Sequence, residues 1–263
     1  MLLSVGVYEA PAEHGAVSDL IRRHSTNPDD VREVALDGVA MPPSGRFLDL
    51  GCGFGFMAEG LARRARPGTE IVGVDVNASN LRHFTERMEA FGCCGRFFCR
   101  ELVARLPFRS GSFDGVVASY ALYFFPRLLP DITRVLGEGG FFVTLTHSEA
   151  SMASLLAVLG LPEGDSPQAL MLHEFSAETG GAQLRSVFGS VEEVDYRNAL
   201  VFGPDGLADL LAYVRFKLPL IRRRVPPGSP VPPEIEQRLR RMLDDHGCIV
   251  IRKDDRIFRC GDA

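Results

Sequence analysis

The stretch FLDLGCGFGFMAEGLAR, residues 47–63, decides the fold. It opens as an apolar run of strand length, passes glycines at 51, 53 and 55, and continues into a helix-forming segment. Glycine adopts left-handed backbone at little steric cost and leaves the main chain bare. The first turn of a following helix carries N–H groups with no partner inside that helix. A strand, a glycine turn and a helix in this order predict the ligand-contacting turn of an open α/β sheet, at the carboxyl end of its first strand. The plainer alternative is a tight strand-to-helix turn. A dinucleotide fingerprint, G-x-G-x-x-G, is not met, because the sixth position from Gly51 is Phe56.

Outward from this stretch, strands are expected at 46–50, 70–76, 95–101, 113–119 and 140–146, alternating with helices at 54–66, 78–92 and 127–137. Within 78–92, Leu81, Phe84, Met88 and Phe91 share one face. The runs FLDL, IVGV and FDGVVAS are apolar almost throughout, as strands covered on both faces should be. The alternation predicts a doubly wound, mostly parallel sheet. Upstream, helices are expected at 14–25 and 27–40, the second started by Asn27 as cap and Pro28 at its first position.

Beyond His147 the rhythm changes. A helical insertion is expected over 148–175, then a helix near 176–188, a strand near 190–199, and an amphipathic helix over 205–218 with Leu207, Leu210, Leu211 and Val214 on one side. A last helix runs from Glu234 to His246 and stops at Gly247. CIVIRKDDRIFRC, residues 248–260, reads as two short strands joined by a turn at Asp254 and Asp255, at the sheet edge. The chain therefore divides into a helical N-terminal cap (1–45), a ligand-binding core (46–147), and a segment (148–263) whose helices and closing strands complete the same domain. The helical N-terminus and the insertions are expected to form a lid.

Composition narrows the function. At 263 residues, 46% hydrophobic and 24% charged, the chain is long enough for one large domain with a sizeable core or for two small domains, and one domain with insertions is expected. Its net charge of −5 offers no broad basic field for a phosphate backbone, which favours a small-molecule partner over nucleic acid. Arg222 to Arg224 and Arg238, Arg240 and Arg241 read as solvated groups rather than a nucleic-acid face. No apolar run reaches the roughly 18 residues of a membrane span, and MLLSVGVYEA lacks a basic leader. A cytoplasmic protein with no membrane partner is expected. The six cysteines show no CxxC pair; they are expected to be reduced, mostly buried thiols, and Cys93, Cys94 and Cys99 lack metal-ligand spacing.

LDLGCGFG, followed by Asp75 in EIVGVDV, resembles the class I S-adenosylmethionine-dependent methyltransferases. LPFRSGSFDGVVASYALYFFP (106–126) is similar to that family's fourth-strand segment, and DITRVLGEGGFFVTLT (131–146) to its helix, glycine turn and fifth strand, with Glu138 where the family often has proline. The closing HGCIVIRKDDRIFRC resembles the last strand of the small-molecule members. The likeness covers roughly 45–147 and implies a seven-stranded Rossmann-like fold, S-adenosylmethionine as cofactor, and methyl transfer to a small-molecule acceptor. A catalytically silent cofactor-binding protein is the alternative.

By that resemblance, Asp49 lies near the cofactor's amino end, Gly51, Cys52 and Gly53 admit methionine and ribose, and Asp75 accepts the ribose hydroxyls in bidentate fashion. Val76, Asn77 and Ala78 past the acid, and Ala118 and Ser119 at the fourth strand's end, are further contacts. A turn cap is the competing role for Asp49, and a helix cap for Asp75. Leu102 stands where the family often has an adenine-binding Asp, so either the neighbouring Glu101 accepts from adenine or main-chain groups near Leu102 and Val103 do. Tyr8 is placed like the aromatic that folds over the cofactor in small-molecule members. A sulfonium methyl is activated already, so positioning dominates and any base must reach the acceptor's proton. Tyr120, Tyr123 and His147, with Glu149, are the candidates, His147 first because histidine titrates near neutrality. A histidine that satisfies loop backbone is the competing role. No metal is implied.

Overall fold

The computed structural model describes residues 10–103 and 105–262, the side chain of Asp165 excepted. The described chain divides into two compact units. The larger comprises 29–146, 174–196 and 256–262; the smaller comprises 10–28, 147–173 and 197–255.

The strands are β1 (Arg46–Leu50), β2 (Glu70–Asp75), β3 (Cys94–Cys99), β4 (Phe113–Ser119), β5 (Leu136–His147), β6 (Ser190–Tyr196), β7 (Ala199–Phe202), β8 (Ile249–Arg252) and β9 (Asp255–Gly261). The helices are α1 (Pro11–His24), α2 (Val31–Leu36), α3 (Phe56–Arg64), α4 (Asn80–Ala90), α5 (Leu129–Val135), α6 (Glu149–Leu159), α7 (Pro167–Leu172), α8 (Gly180–Arg185), α9 (Leu207–Ile221) and α10 (Pro233–His246).

The larger unit is built on a doubly wound, mostly parallel seven-stranded sheet of order β3-β2-β1-β4-β5-β9-β6. β1 pairs in parallel with β2 on one side and β4 on the other, so Asp49 lies between Gly73 and Val117. From β1 the chain proceeds outward to β2 and β3, then returns to lay β4 and β5 on the other flank. β1 is therefore the switch point at which an open α/β sheet leaves a crevice beyond its carboxyl ends. Phe47, Leu48, Leu50, Ile71, Val72, Val74, Val116 and Val117 are fully buried. This is the continuous apolar character of strands covered on both faces.

Helices α2, α3 and α4 are joined by charge. Glu59, on α3 and nearly buried, takes Arg32 of α2 at 3.1 Å, Arg63 at 2.5 Å, and Arg87 of α4. Arg87 lies over the ring of Phe54 and Arg32 over that of Phe56, so the same arginines brace the residues on either side of Gly55.

In the smaller unit, β7 and β8 form an antiparallel ribbon and α9 is buried along most of its length. His24 of α1 reaches Asp209 of α9 at 2.8 Å.

Four local expectations change. The helix expected at 27–40 starts at Val31, capped by Asp30, whose side chain accepts from the Arg32 N–H at 2.9 Å; Asn27 instead donates its side-chain amide to the Arg197 carbonyl. The strand expected over 190–199 is two strands. The two closing strands are not one hairpin at an edge: β8 joins β7 in the ribbon, whereas β9 lies inside the large sheet between β5 and β6. Lys253–Asp254 is pinned where they part, the Lys253 N–H to the Asn198 carbonyl and the Asp254 carboxylate to the Asn198 N–H. All six cysteines are free thiols; Cys94, Cys99 and Cys248 are exposed rather than buried.

Asp30→Ala removes both the cap and the Arg32 partner, and a loss of about 1–2 kcal/mol in urea unfolding is expected.

Candidate cofactor site

The crevice end of β1 is shaped by three glycines that do different work. All have left-handed backbone, with φ of +68° at Gly51, +50° at Gly53 and +89° at Gly55. A side chain on Gly51 would stand 2.5 Å from the Cβ of Ala121, so its bareness makes room for the chain leaving β4. Gly55 is backed by Phe84 and Arg87. Only Gly53 faces open space, with no described atom within 4 Å of where a Cβ would stand. The loop is held from β2: the Gly51 and Cys52 amides donate to the Val74 carbonyl, and the Gly55 amide to the Cys52 carbonyl.

Asp75, at the end of β2, turns into this loop. Its Oδ2 accepts from the Gly53 amide at 2.8 Å, and its Oδ1 from the Asn77 amide at 2.8 Å and from the side-chain amide of Asn80 at 3.3 Å. The carboxylate therefore caps the turn into α4 and lies against the open glycine. Each oxygen retains acceptor capacity, since a carboxylate offers about four lone-pair sites.

Asp49 is buried in the last turns of β1. Its Oδ2 accepts from the Ala58 amide, in the first turn of α3, at 3.1 Å, while its Oδ1 has no hydrogen-bond partner among the described residues. Burial, with the Asp75 charge adding to it, pushes its carboxyl up to about 7. The result is a half-satisfied acceptor that a cation would complete.

The remaining candidates divide. Cys52 contributes main chain only: its thiol is buried, and any side chain on Gly73 would meet it. Val76 and Ala78 are exposed beside Asp75, and Asn77 is buried. Glu101 is exposed just past β3, with Leu102 half-buried and Val103 exposed. Ala118 is buried, its carbonyl taken by the Thr144 hydroxyl at 2.7 Å, and Ser119 is half-buried. Tyr120 has a φ of +53°, uncommon for a residue with a side chain, and its N–H donates to the Leu145 carbonyl. Tyr123 is buried, its ring 4.8 Å from that of Phe124. Tyr8 lies outside the described residues. Asn80 and the Ala58 amide escaped the sequence reading; Asn80, five residues past Asp75, carried the signal of a polar residue opening a helix.

His147 belongs to the smaller unit. Its Nδ1 lies 2.6 Å from Asp255 Oδ1, and the other oxygen of Asp255 takes Lys253 Nζ at 2.9 Å. Burial lowers the imidazole to about 4 despite the carboxylate, so it does not titrate near neutrality as expected, and Nδ1 faces a carboxylate. With Asp255 held well below the usual carboxylate range by Lys253 and His147, Nδ1 carries the proton and Nε2 is the basic nitrogen. Glu149 sits 3.6 Å from His173. Among the described residues no three His, Cys, Asp or Glu side chains could hold a metal ion, and no helix is long and apolar enough to cross a membrane.

Residues 47–140 match the methyltransferase-domain family. The chain is 34% identical to a fatty-acid O-methyltransferase of Mycolicibacterium smegmatis over 101 residues, 37% of this chain and 35% of that protein. It is 33% identical to the ubiquinone/menaquinone biosynthesis C-methyltransferase UbiE of Bordetella parapertussis over 115 residues, 43% and 44% of the two. The match thus spans well under two thirds of either relative. Among solved structures, the fold is similar to that of the YcgJ protein of Bacillus subtilis (15% identity, 87% and 96% of the two chains, TM-score 0.54) and of the [4+2]-cyclase SpnF (16%, 97% and 93%, TM-score 0.56). Over that stretch the chain is similar to the class I S-adenosylmethionine-dependent methyltransferases. The cofactor of that class suits what this loop presents: an open glycine, a carboxylate with acceptor capacity left on both oxygens, and a buried acceptor with no partner among the described residues.

Because Asp49 sits near 7 when folded against its ordinary 3.8, the folded protein holds an extra proton between those values, and this group makes stability fall as pH rises from about 4 to about 7. Asp49→Asn removes that slope, so calorimetry at pH 4.5 and 7.5 should show the variant gaining in Tm over the wild type at the higher pH. Gly53→Ala should cost about 1–2 kcal/mol in urea unfolding from left-handed backbone alone, and Gly51→Ala clearly more, because its methyl also meets Ala121.

Proposed function

We propose that the protein transfers a methyl group from S-adenosylmethionine to a small-molecule acceptor by in-line displacement. The observation that carries this is the juxtaposition of open Gly53 with the Asp75 carboxylate at the switch point of the sheet. When bound, the cofactor supplies a methyl already activated by the positive charge on sulfur. The chain's own task is positioning. Asp75 accepts the ribose hydroxyls, Asp49 Oδ1 accepts from the ammonium of the methionine end, and Gly53 allows close approach. Cys52 and Gly51 shape the loop through their backbone. Val76 and Asn77 flank the ribose, while Glu101 or the main chain at Leu102 reads the adenine edge. Ala118 and Ser119 supply contacts at the end of β4.

An acceptor that loses a proton needs a base. His147 is the candidate for that role, its ring oriented by the Asp255 carboxylate through Nδ1, although burial makes it a weaker base than a free imidazole. Tyr120 and Tyr123, in the chain leaving β4, serve the acceptor's placement. The net charge of −5 favours a small acceptor over nucleic acid. The competing reading is cofactor binding without methyl transfer.

Isothermal titration with S-adenosylmethionine and S-adenosylhomocysteine should give saturable binding, and absence of heat from both would overturn the proposal. Turnover of any metabolite in a radiolabelled-methyl screen separates the enzyme from the silent reading. Asp75→Ala should weaken cofactor binding by about 1–3 kcal/mol, the worth of a charged hydrogen bond; unchanged affinity would leave Asp75 its capping role alone.

A further inference from the structure

Of the 29 cationic side chains only two are lysines, Lys217 and Lys253, and both are buried in the smaller unit. Elsewhere the chain uses arginine. Lys253 is accounted for by its 2.9 Å ion pair with Asp255. Lys217 is not. It lies on the inner face of α9, one turn beyond buried Tyr213, is only 8% exposed, and has no hydrogen-bond or ion-pair partner among the described residues. The charged and titratable groups within its electrostatic reach are Asp255, Lys253, His147 and His14. Both histidines are pushed to about 4 by burial and are neutral near pH 7.

Burying an ammonium with three unmet donors is costly. Burial and Lys253 lower Lys217 only to about 8, so it stays mostly charged at neutral pH. Among the described residues the cluster thus holds two ammoniums against one carboxylate, whose two oxygens already serve His147 and Lys253. Among these described groups the surplus is one positive charge. A phosphate dianion would overshoot it; a carboxylate matches it.

We infer that Lys217, with Lys253 beside it, forms a binding site for the carboxylate of a small organic acid, a site that lies within the smaller unit and does not depend on the methyl-transfer reading. The surroundings favour an acid with an apolar body, since Tyr213, one turn before Lys217, and Phe216, next to it in the chain, are buried, and the half-buried His14 ring stacks on Phe216 at 5.4 Å.

With only two lysines, protein grown on lysine labelled with ¹³C at Cε gives two side-chain signals. These are followed while the full chain, with S-adenosylhomocysteine present, is titrated with sodium octanoate or sodium benzoate. Octanamide, benzamide, inorganic phosphate and sodium chloride at matched ionic strength form the other arms. Saturable movement of the Lys217 signal with an acid, a raised Lys217 pKa in its presence, and no movement with the amides or chloride are expected. Lys217→Met should fold, since it puts an apolar chain where a lone charge was buried. It should lower carboxylate affinity at least tenfold, read at the Lys253 signal, and leave S-adenosylhomocysteine binding unchanged. A Lys217 signal unmoved by either acid, or moved equally by the amides or chloride, overturns the inference, and stronger saturation by phosphate overturns the carboxylate assignment. The readout is binding, so it stands if no acceptor is methylated. Methylation of a neutral acceptor with both signals unmoved would sink this inference and leave the methyl-transfer reading intact.

Discussion

The hydrogen bond from the Gly53 amide to Asp75 is the constraint on which the larger unit's site depends. It ties the loop after β1 to the end of β2 and fixes left-handed backbone at a residue with nothing beside it. The Asp75 carboxylate accepts there on both oxygens, from Gly53 on one and from Asn77 and Asn80 on the other. That places a charge near buried Asp49, and the two acids oppose each other. A structure at rest would avoid such a pair; a site that receives a cation makes use of it, because the ligand's charge removes the repulsion and fills the empty acceptor on Asp49.

This arrangement survives because the surrounding helices are locked independently of it. Glu59 collects arginines from α2, α3 and α4, and two of those arginines also cover Phe54 and Phe56. Breaking one partner of so nearly buried a cluster strands the others, which makes the frame of the loop stiff even where the loop is bare.

The sheet core was legible in the sequence because its signals are local. Apolar runs, glycine spacing and the 3.6-residue stripe through Phe84 and Met88 each state their own structure, and β1 and β4 fell where expected. The pairing of β8 with β7 rather than with β9 was not legible, since adjacent strands pair by default and only the pinning of Lys253–Asp254 on Asn198 separates them. Asn27 looked like a cap by residue type, but its side chain is spent on Arg197. Gly51 and Gly53 looked equivalent by spacing, and only three-dimensional neighbours distinguish the one that makes room for Ala121 from the one that is open. His147 was visible as a candidate, but its pairing with Asp255, 108 positions away, was not.

The two units carry buried charge of opposite sign. Among the described residues, Asp49 Oδ1 in the larger unit lacks a hydrogen-bond partner beside the Asp75 carboxylate, and in the smaller Lys217 lacks a hydrogen-bond or ion-pair partner. The choice of lysine in the second case follows from its shape. An arginine fork needs planar partners for five donors, whereas an ammonium is compact and can shed its proton when dry. A chain that uses arginine at 27 of its 29 cationic positions and lysine only at these two treats them as a separate chemical need. Uncompensated charge lowers stability in each unit, and the economical account of both is that each is completed by a ligand of opposite charge. For the acids the proposed ligand is a cationic sulfonium amino acid, and for the lysine it is a carboxylate.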